Sequence, residues 1–231
     1  MYVLAADGID ELLDTNGGIA TAVESISHWL RNQTGGLNLR WDTYEGQIDI
    51  SFHRLSVDED SITAERAFVR DRIENELLSA GVITLDKLYA VFYGGGSTWS
   101  CGGGAWPPKL EGVVAAMYLK GTPPNAPACS SNTLGASPTD PGFFEVGMLH
   151  EIMHTIGLVA ECAPNHHLAG HVSDSSNDLM WAGNEPWELP PRLDIGNDDY
   201  FQHNNAGCLD LANSGFINPL PSDYWLPQGF D

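Results

Sequence analysis

Apolar residues recur along the first half of the chain at the spacing of amphipathic helices. From Gly18 onward, one set repeats at intervals of four, three and four residues, which predicts a helix that the Gly35-Gly36 pair ends. A later set predicts a second helix, with Gly81 as its C-terminal stop. The two sets are Ile19, Val23, Ile26 and Leu30, followed by Phe68, Val69, Ile73 and Leu77.

Other apolar segments have the pattern of strands. Residues 2–5 form a short apolar run before the turn-like Asp7-Gly8, and Ile48, Ile50 and Phe52 alternate with polar neighbours, as in a half-buried strand. Residues 88–93 form a continuous apolar run, which is typical of a strand buried on both faces. A last strand is predicted at residues 113–119.

This order of elements predicts an α/β (α+β) fold with a twisted, mostly parallel sheet and two or three helices. The first lobe would comprise residues 1–157. Residues 158–231 form an irregular, loop-rich C-terminal lobe in this interpretation, because six prolines discourage regular structure there. These are Pro186, Pro190, Pro191, Pro219, Pro221 and Pro227.

The net charge of the chain bears on which kinds of molecule it can bind. Acidic residues outnumber basic ones 31 to 10, giving a formal net charge of −21. Phosphate backbones and anionic lipid surfaces would repel such a protein, so we expect neither nucleic acid nor membrane partners. Carboxylates also suit Ca²⁺, which makes calcium a further possible ligand. The candidate calcium ligands are Asp58, Glu59 and Asp60, and separately Asp194, Asn197, Asp198 and Asp199.

The four cysteines indicate an oxidising compartment. They lie far apart and allow three disulfide connectivities, of which we favour Cys101–Cys129 with Cys162–Cys208, because each bond would brace a Gly- or Pro-rich loop. Four free thiols in a cytosolic protein are the alternative. Disulfides indicate secretion, but the first residues lack the pattern of a signal sequence. We therefore expect that a leader, and a pro-segment with it, preceded the chain.

The candidate chemistry is concentrated in the run from His150 to Gly157. Two histidines four apart lie on one helix face and can hold one metal ion, with Glu151 placed to act on a water at that ion. Helical context supports the motif, because residues 139–142 resemble a helix start and Gly157 a stop. The apolar face of this helix would be Val146, Leu149, Met153 and Ile156.

The motif His-Glu-x-x-His-x-x-Gly, followed by Leu179-Met180-Trp181, resembles the metzincin metalloproteases. The resemblance implies a catalytic zinc held by His150 and His154, with Glu151 as general base and Met180 beneath the metal. It also implies an edge strand near residues 113–119 that pairs with an extended substrate, although an internal strand would fit the same sequence.

The third metal ligand departs from the metzincin pattern. The expected position is Ala160, which cannot bind metal, so either the site has two protein ligands or an insertion carries the third further along. The candidates are His166, His167, His171 and Asp174. We favour His171, because Gly170 permits close backbone approach and the Met180 turn follows shortly after.

Taken together, the sequence predicts a single catalytic domain over residues 1–231, acting as a secreted zinc-dependent endopeptidase on polypeptide substrates. The sequence does not indicate an oligomeric state. A gluzincin-like zinc site, with Glu185 after Asn184 as third ligand, is an alternative plan. Another zinc hydrolase, or a secreted binding module with a vestigial zinc site, also stays open.

Overall fold

A five-stranded sheet runs through the fold in a computed structural model that describes residues 1–182, 188, 191–227 and 230. The α-helices are α1 (Gly18–Thr34), α2 (Glu59–Thr63), α3 (Val69–Ser79) and α4 (Phe143–Thr155). The strands are β1 (Tyr2–Leu4), β2 (Asn38–Leu39), β3 (Thr43–Tyr44), β4 (Gln47–Ile48), β5 (Phe52–Arg54), β6 (Tyr89–Tyr93), β7 (Gly102–Gly103), β8 (Val114–Tyr118), β9 (His166–His167), β10 (His171–Val172) and β11 (Ile217–Asn218).

The sheet is mostly parallel, as predicted. Its strand order is β5-β1-β6-β8-β7, and β1 pairs in parallel with both β5 and β6. Strand β8 is parallel to β6, whereas β7 is antiparallel to β8 with Gly102 opposite Met117. Parallel strands of this kind are buried on both faces, which explains the continuous apolar runs in β6 and β8.

Each face of the sheet packs against its own helices. Phe92 and Met117 belong to the hydrophobic cluster that includes residues of α1 and α4. Val91 and Tyr93, on the opposite face of β6, pack in a second cluster with residues of α3. This alternation follows from the two-residue period of a strand. Helix α4, which carries the His150–Gly157 run, therefore lies against one face of the sheet, with α1 beside it.

The predicted helix ends are confirmed in two places. Helix α1 ends at Gly35, whose φ of 73° lets its N–H donate to the carbonyl of Arg31. Helix α3 is followed by Gly81, also left-handed at φ 68°. Phe68 is an exception, because it precedes α3 and is 64% exposed rather than part of the buried face.

The predicted strand over residues 48–52 is wrong as a single element. Ile48 belongs to the hairpin of β3 and β4, and Phe52 begins β5, which joins the main sheet. Glu45 and Gly46 close the hairpin with φ values of 50° and 79°, the conformation of a two-residue hairpin turn. The chain therefore turns back before it can enter the sheet.

Beyond α4, the described residues form little regular structure, as the prolines predicted. β9 pairs with β10, and β11 pairs with β2 of the first lobe, each over two residues. Two disulfides, Cys101–Cys129 and Cys162–Cys208, confirm the favoured connectivity. Within the part of the chain that the structure describes, no helix has the length and apolar character needed to cross a membrane.

Candidate metal centre

Helix α4 is fixed at both ends by local interactions. At its start, the N–H of Gly142 donates to the carboxylate of Glu145 at 2.9 Å, and Glu145 also accepts the N–H of Gly135 at 2.7 Å. At its end, Gly157 adopts a φ of 84°. The four residues of the predicted apolar face are buried, which confirms that face: Val146, Leu149, Met153 and Ile156. The two histidines of the motif lie beside this apolar face, where His150 is half-buried and His154 is buried.

Three imidazoles converge beside this helix. Nε2 of His154 lies 2.9 Å from Nε2 of His150 and 3.1 Å from Nε2 of His171. Ligands at the zinc–nitrogen bond length in a tetrahedral site lie about 3.3 Å apart, so the spacing is close to that of a metal centre. The three side chains thus form a group that could hold a metal ion.

Hydrogen bonds to the far side of two rings fix how they face the centre. Nδ1 of His150 donates to the carbonyl of Leu179 at 2.7 Å, and Nδ1 of His171 donates to the carbonyl of Leu168 at 2.8 Å. In a neutral ring this leaves a lone pair on Nε2, directed at the cluster. If His154 carried its proton on Nε2, that proton could bond only one of the two lone pairs, on His150 or on His171. A metal ion could accept both lone pairs, so these nitrogens fit a bound cation. Among the described residues, Nδ1 of His154 has no hydrogen-bond partner.

Burial keeps these rings unprotonated at neutral pH. Desolvation, followed by the neighbouring His171, lowers the pKa of His150 to about 3. The pKa of His154 is lowered well below its ordinary value, first by burial and then by the other two rings, and burial also lowers the pKa of His171. Neutral imidazoles are the form that binds metal.

The other third-ligand candidates lie elsewhere. Nδ1 of His166 donates to the carbonyl of Val159 at 3.0 Å, and its ring stacks on Trp106. His167 is exposed, and Asp174 lies in a separate acidic group. Glu185, the ligand of the gluzincin-like plan, lies outside the described residues. The structure therefore brings His171 alone of the four sequence candidates to His150 and His154.

The Leu179-Met180 turn supports two of the three rings. Besides the bond from His150 to Leu179, the carbonyl of Met180 accepts the N–H of Val172 at 2.9 Å, next to His171. Met180 is fully buried, and its own N–H donates to Asp178 at 2.7 Å. This turn thus holds both His150 on α4 and the strand that carries His171.

Glu151 lies in a cleft beside the imidazoles. The cleft has a volume of about 290 Å³ and is lined by Ser100, Cys101, Gly102, Met117, Phe143, Gly147, His150, Glu151, Trp181 and Ala182. Burial raises the pKa of Glu151 to about 8, and the charge of Arg70 opposes this shift. A cation at the three rings would lower it again, because an opposite charge favours the ionised carboxylate.

The edge strand at this cleft is β7, and β8, where the resemblance placed an edge strand, is internal. Gly102 lies against the catalytic candidate, since a Cβ added to it would stand 2.6 Å from Oε1 of Glu151. The sequence offered a glycine run tethered by Cys101 and no strand pattern, so β7 was missed. Trp106, further along the same segment, was also missed because nothing local marks its contact with His166.

The predicted calcium ligands have other partners for the most part. Asp58 caps α2 by accepting the N–H of Ser61, and Asp194 accepts backbone N–H groups of residues 199–201. Asp198 and Asp199 do come together, with Asp174 as a third member whose carboxylate lies within 4.8 Å of theirs. Asp174 is exposed, Asp198 half-buried and Asp199 buried, and calcium stays a prediction for this group.

Comparison with models of known protein families and with curated proteins finds no match for this chain. The function must therefore be inferred from the three imidazoles, Glu151 and the cleft around them.

Proposed function

We propose that the protein is a secreted zinc-dependent endopeptidase of metzincin-like type. The observation that carries the proposal is the convergence of three imidazole Nε2 atoms beside a half-buried glutamate, in a cleft whose wall is an edge strand. Each part has a separate role in peptide hydrolysis. Three neutral imidazoles with their Nε2 atoms close together are an arrangement that could hold one metal ion.

The donor set supports zinc. His150, His154 and His171 supply three neutral nitrogen ligands, a set that catalytic zinc sites use while keeping a fourth position for water. Imidazole also suits copper, iron and nickel, so the choice of zinc rests on the His-Glu-x-x-His spacing. The buried Met180 and the carbonyl of Leu179 add the turn that the metzincin resemblance implies beneath the site.

Glu151 carries the proton transfers in this proposal. A bound zinc ion would supply Lewis acidity, polarising the substrate carbonyl and acidifying the attacking water. Glu151 takes the proton from that water and passes it to the leaving amine. Its place in the cleft, one residue from His150 and against Gly102, brings it within reach of both.

Strand β7 is the proposed substrate-binding edge. An extended polypeptide would add to the sheet beside Gly102 and Gly103 through backbone hydrogen bonds. That pairing would place one peptide bond next to Glu151 and the imidazoles. The net charge of −21 favours neutral or basic polypeptides over acidic ones. The two disulfides support a secreted protein.

The decisive experiment measures metal content and hydrolysis together. Protein prepared without chelators should contain one zinc per chain and cleave a neutral or basic polypeptide in a chelator-sensitive way. Glu151→Gln should keep the zinc and lose nearly all hydrolysis, because the general base is gone. Glu161→Gln is the matched control, since Glu161 is exposed and, within the part of the chain that the structure describes, forms an ion pair only with the exposed Lys109 at 3.1 Å.

Two outcomes would contradict the proposal. Protein without bound metal would remove the cofactor, and full hydrolysis by Glu151→Gln would remove the general base. Stoichiometric zinc without hydrolysis of any polypeptide would favour the alternative of a binding module with a structural zinc.

A further inference from the structure

Trp106 lies at the junction between the edge strand and the third candidate ligand. The chain leaves β7 and crosses α4 at Gly104, where an added Cβ would stand 2.5 Å from the carbonyl oxygen of Glu151. It then reaches Trp106, which closes a tight loop with Leu110: each backbone N–H donates to the other residue's carbonyl, at 2.7 and 2.9 Å. This loop gives the indole a fixed point of attachment.

The indole packs on the hairpin of β9 and β10, which carries His171. Its ring stacks on His166 with centroids 5.7 Å apart and planes 13° from parallel. Its edge lies against Gly170, where an added Cβ would stand 2.3 Å from Nε1 of the indole. Trp106 therefore contacts one strand of the hairpin and the residue directly before His171.

The contact is one of shape rather than hydrogen bonding. Among the described residues, the indole N–H of Trp106 has no acceptor, although the atom is buried. Gly170 has a φ of 78° and Ala169 one of 58°, so the hairpin turns sharply at the position where the indole covers it. In that turn, Nδ1 of His171 donates to the carbonyl of Leu168.

We propose that Trp106 is a positioning residue for the metal centre, which holds the β9–β10 hairpin so that Nε2 of His171 meets those of His150 and His154. This inference rests on the proposed metal site and is independent of peptidase activity. The imidazoles of His150 and His154 share one rigid helix, whereas His171 stands on a two-residue strand in an irregular lobe. The third ligand is thus the one that needs a support of its own.

The test compares Zn²⁺ and Co²⁺ binding by the native protein, Trp106→Ala and Trp106→Phe. Loss of an outer partner of a metal ligand weakens metal affinity by about 10- to 100-fold. We expect Trp106→Ala to show a loss in that range and an altered Co²⁺ absorption spectrum. Trp106→Phe should recover only part of the affinity, because it keeps a ring that can stack on His166 but loses the five-membered ring of the indole that lies against Gly170.

A matched control separates positioning from general stability. Trp99 lies in the same glycine-rich segment, is 53% exposed and stacks under the guanidinium of Arg66. Trp99→Ala should bind both metals like the native protein. Denaturant unfolding of each metal-free variant reports any loss of stability separately.

If Trp106→Ala does not fold, Gly170→Ala provides the test from the other side of the contact, since its methyl group would displace the indole. Native Zn²⁺ affinity and an unchanged Co²⁺ spectrum in the folded Trp106→Ala variant, or failing that in Gly170→Ala, would overturn the positioning role while leaving the proposed peptidase intact. A native protein that binds neither metal would overturn both.

Discussion

The imidazole of His150 donates a hydrogen bond of 2.7 Å to the carbonyl of Leu179, 29 residues further along the chain. The bond joins α4 to the turn that contains Met180. It sets the rotation of the His150 ring, and the other face of the same turn holds Val172 next to His171. The geometry of the proposed metal site thus depends on this turn as much as on the helix.

Asp178 anchors the turn, and its removal should weaken both fold and site. Its carboxylate accepts the N–H of Met180, the hydroxyl of Tyr200 and the N–H of Ile195, each at 2.7–2.8 Å. Asp178→Ala leaves these donors unpaired, and we expect the free energy of unfolding to fall by about 3 kcal/mol. Zinc affinity should fall about 10-fold as Leu179 moves. Urea unfolding and metal titration check this, with the exposed Asp223→Ala as control.

Glu151→Gln should stabilise the metal-free protein at high pH. The pKa of Glu151 is raised by burial from 4.5 to about 8, so the folded protein keeps a proton there that the unfolded chain releases from about pH 4.5. The contribution of this group to stability is therefore fully present below pH 4.5 and falls as the pH rises to 8. Gln does not titrate, and at pH 9 we expect the variant to be more stable by about 2 kcal/mol.

The matching measurement is denaturant unfolding of both proteins at pH 5 and pH 9. At pH 5 the two proteins should have nearly the same free energy of unfolding. In the zinc-loaded proteins the difference between them should shrink or reverse, because a cation beside Glu151 stabilises its ionised form. A difference that is the same at both pH values would contradict the assignment of the raised pKa to Glu151.

Replacing His171 should release the metal, and replacing its neighbour across the hairpin should not. His171→Ala removes one of three proposed ligands, so its zinc affinity should fall by more than the roughly 100-fold that an outer partner can cost. His167 lies opposite His171 in the β9–β10 pair but is exposed, which makes His167→Ala the control. Competition with a chromophoric chelator measures both, and equal affinities would exclude His171 as a ligand.

The Cys101–Cys129 disulfide should stabilise the fold through the unfolded state. It closes a segment of 28 residues, for which loop-closure entropy predicts a contribution of about 3.5 kcal/mol. In the double variant Cys101→Ala/Cys129→Ala, the free energy of unfolding measured in urea should be lower by about this amount. Because Cys101 directly precedes β7, hydrolysis should fall as well. Full activity in the double variant would show that the edge strand keeps its place without the bond.

Gly102 in the cleft and Gly104, two residues further along the chain, should respond differently to alanine. An added Cβ at Gly102 would meet Oε1 of Glu151 at 2.6 Å and the sulfur of Met117 at 2.9 Å, both in side chains. Gly102→Ala should therefore displace the carboxylate and lower kcat at least about 10-fold while zinc is retained. At Gly104 the obstacle is the carbonyl of Glu151, so Gly104→Ala should impair folding instead. Retained kcat in Gly102→Ala would argue against Glu151 as the base.

The elements that the sequence predicted well are those that bury side chains on a regular period. The run at residues 88–93 contains β6, and the apolar faces of α1 and α4 are buried as expected. His150, Glu151 and His154 fall within five residues of one helix, so their proximity follows from helix geometry alone. For this local part of the site, sequence reasoning was sufficient.

Features placed by backbone conformation or by distant contacts were not predictable in the same way. Strand β7 consists of two glycines and has no hydrophobic pattern, and α2 was missed although Asp58 offered a helix-capping signal. The third ligand was one of four candidates, because only the fold of residues 158–182 decides which side chain reaches the helix. Trp106 touches that region from more than fifty residues upstream, where no sequence pattern links the two.

A rim built from Gly102 and Gly103 has a consequence for selectivity. In the proposed peptidase, such a rim would present an incoming chain with amide groups and no side chains of its own, so it could align many sequences equally well. Discrimination among substrates would then fall to side chains that line the cleft, among them Phe143 and Trp181. In the proposed peptidase, many polypeptides could then bind at the edge strand, and the cleavage site would depend on how their side chains fit against these lining residues.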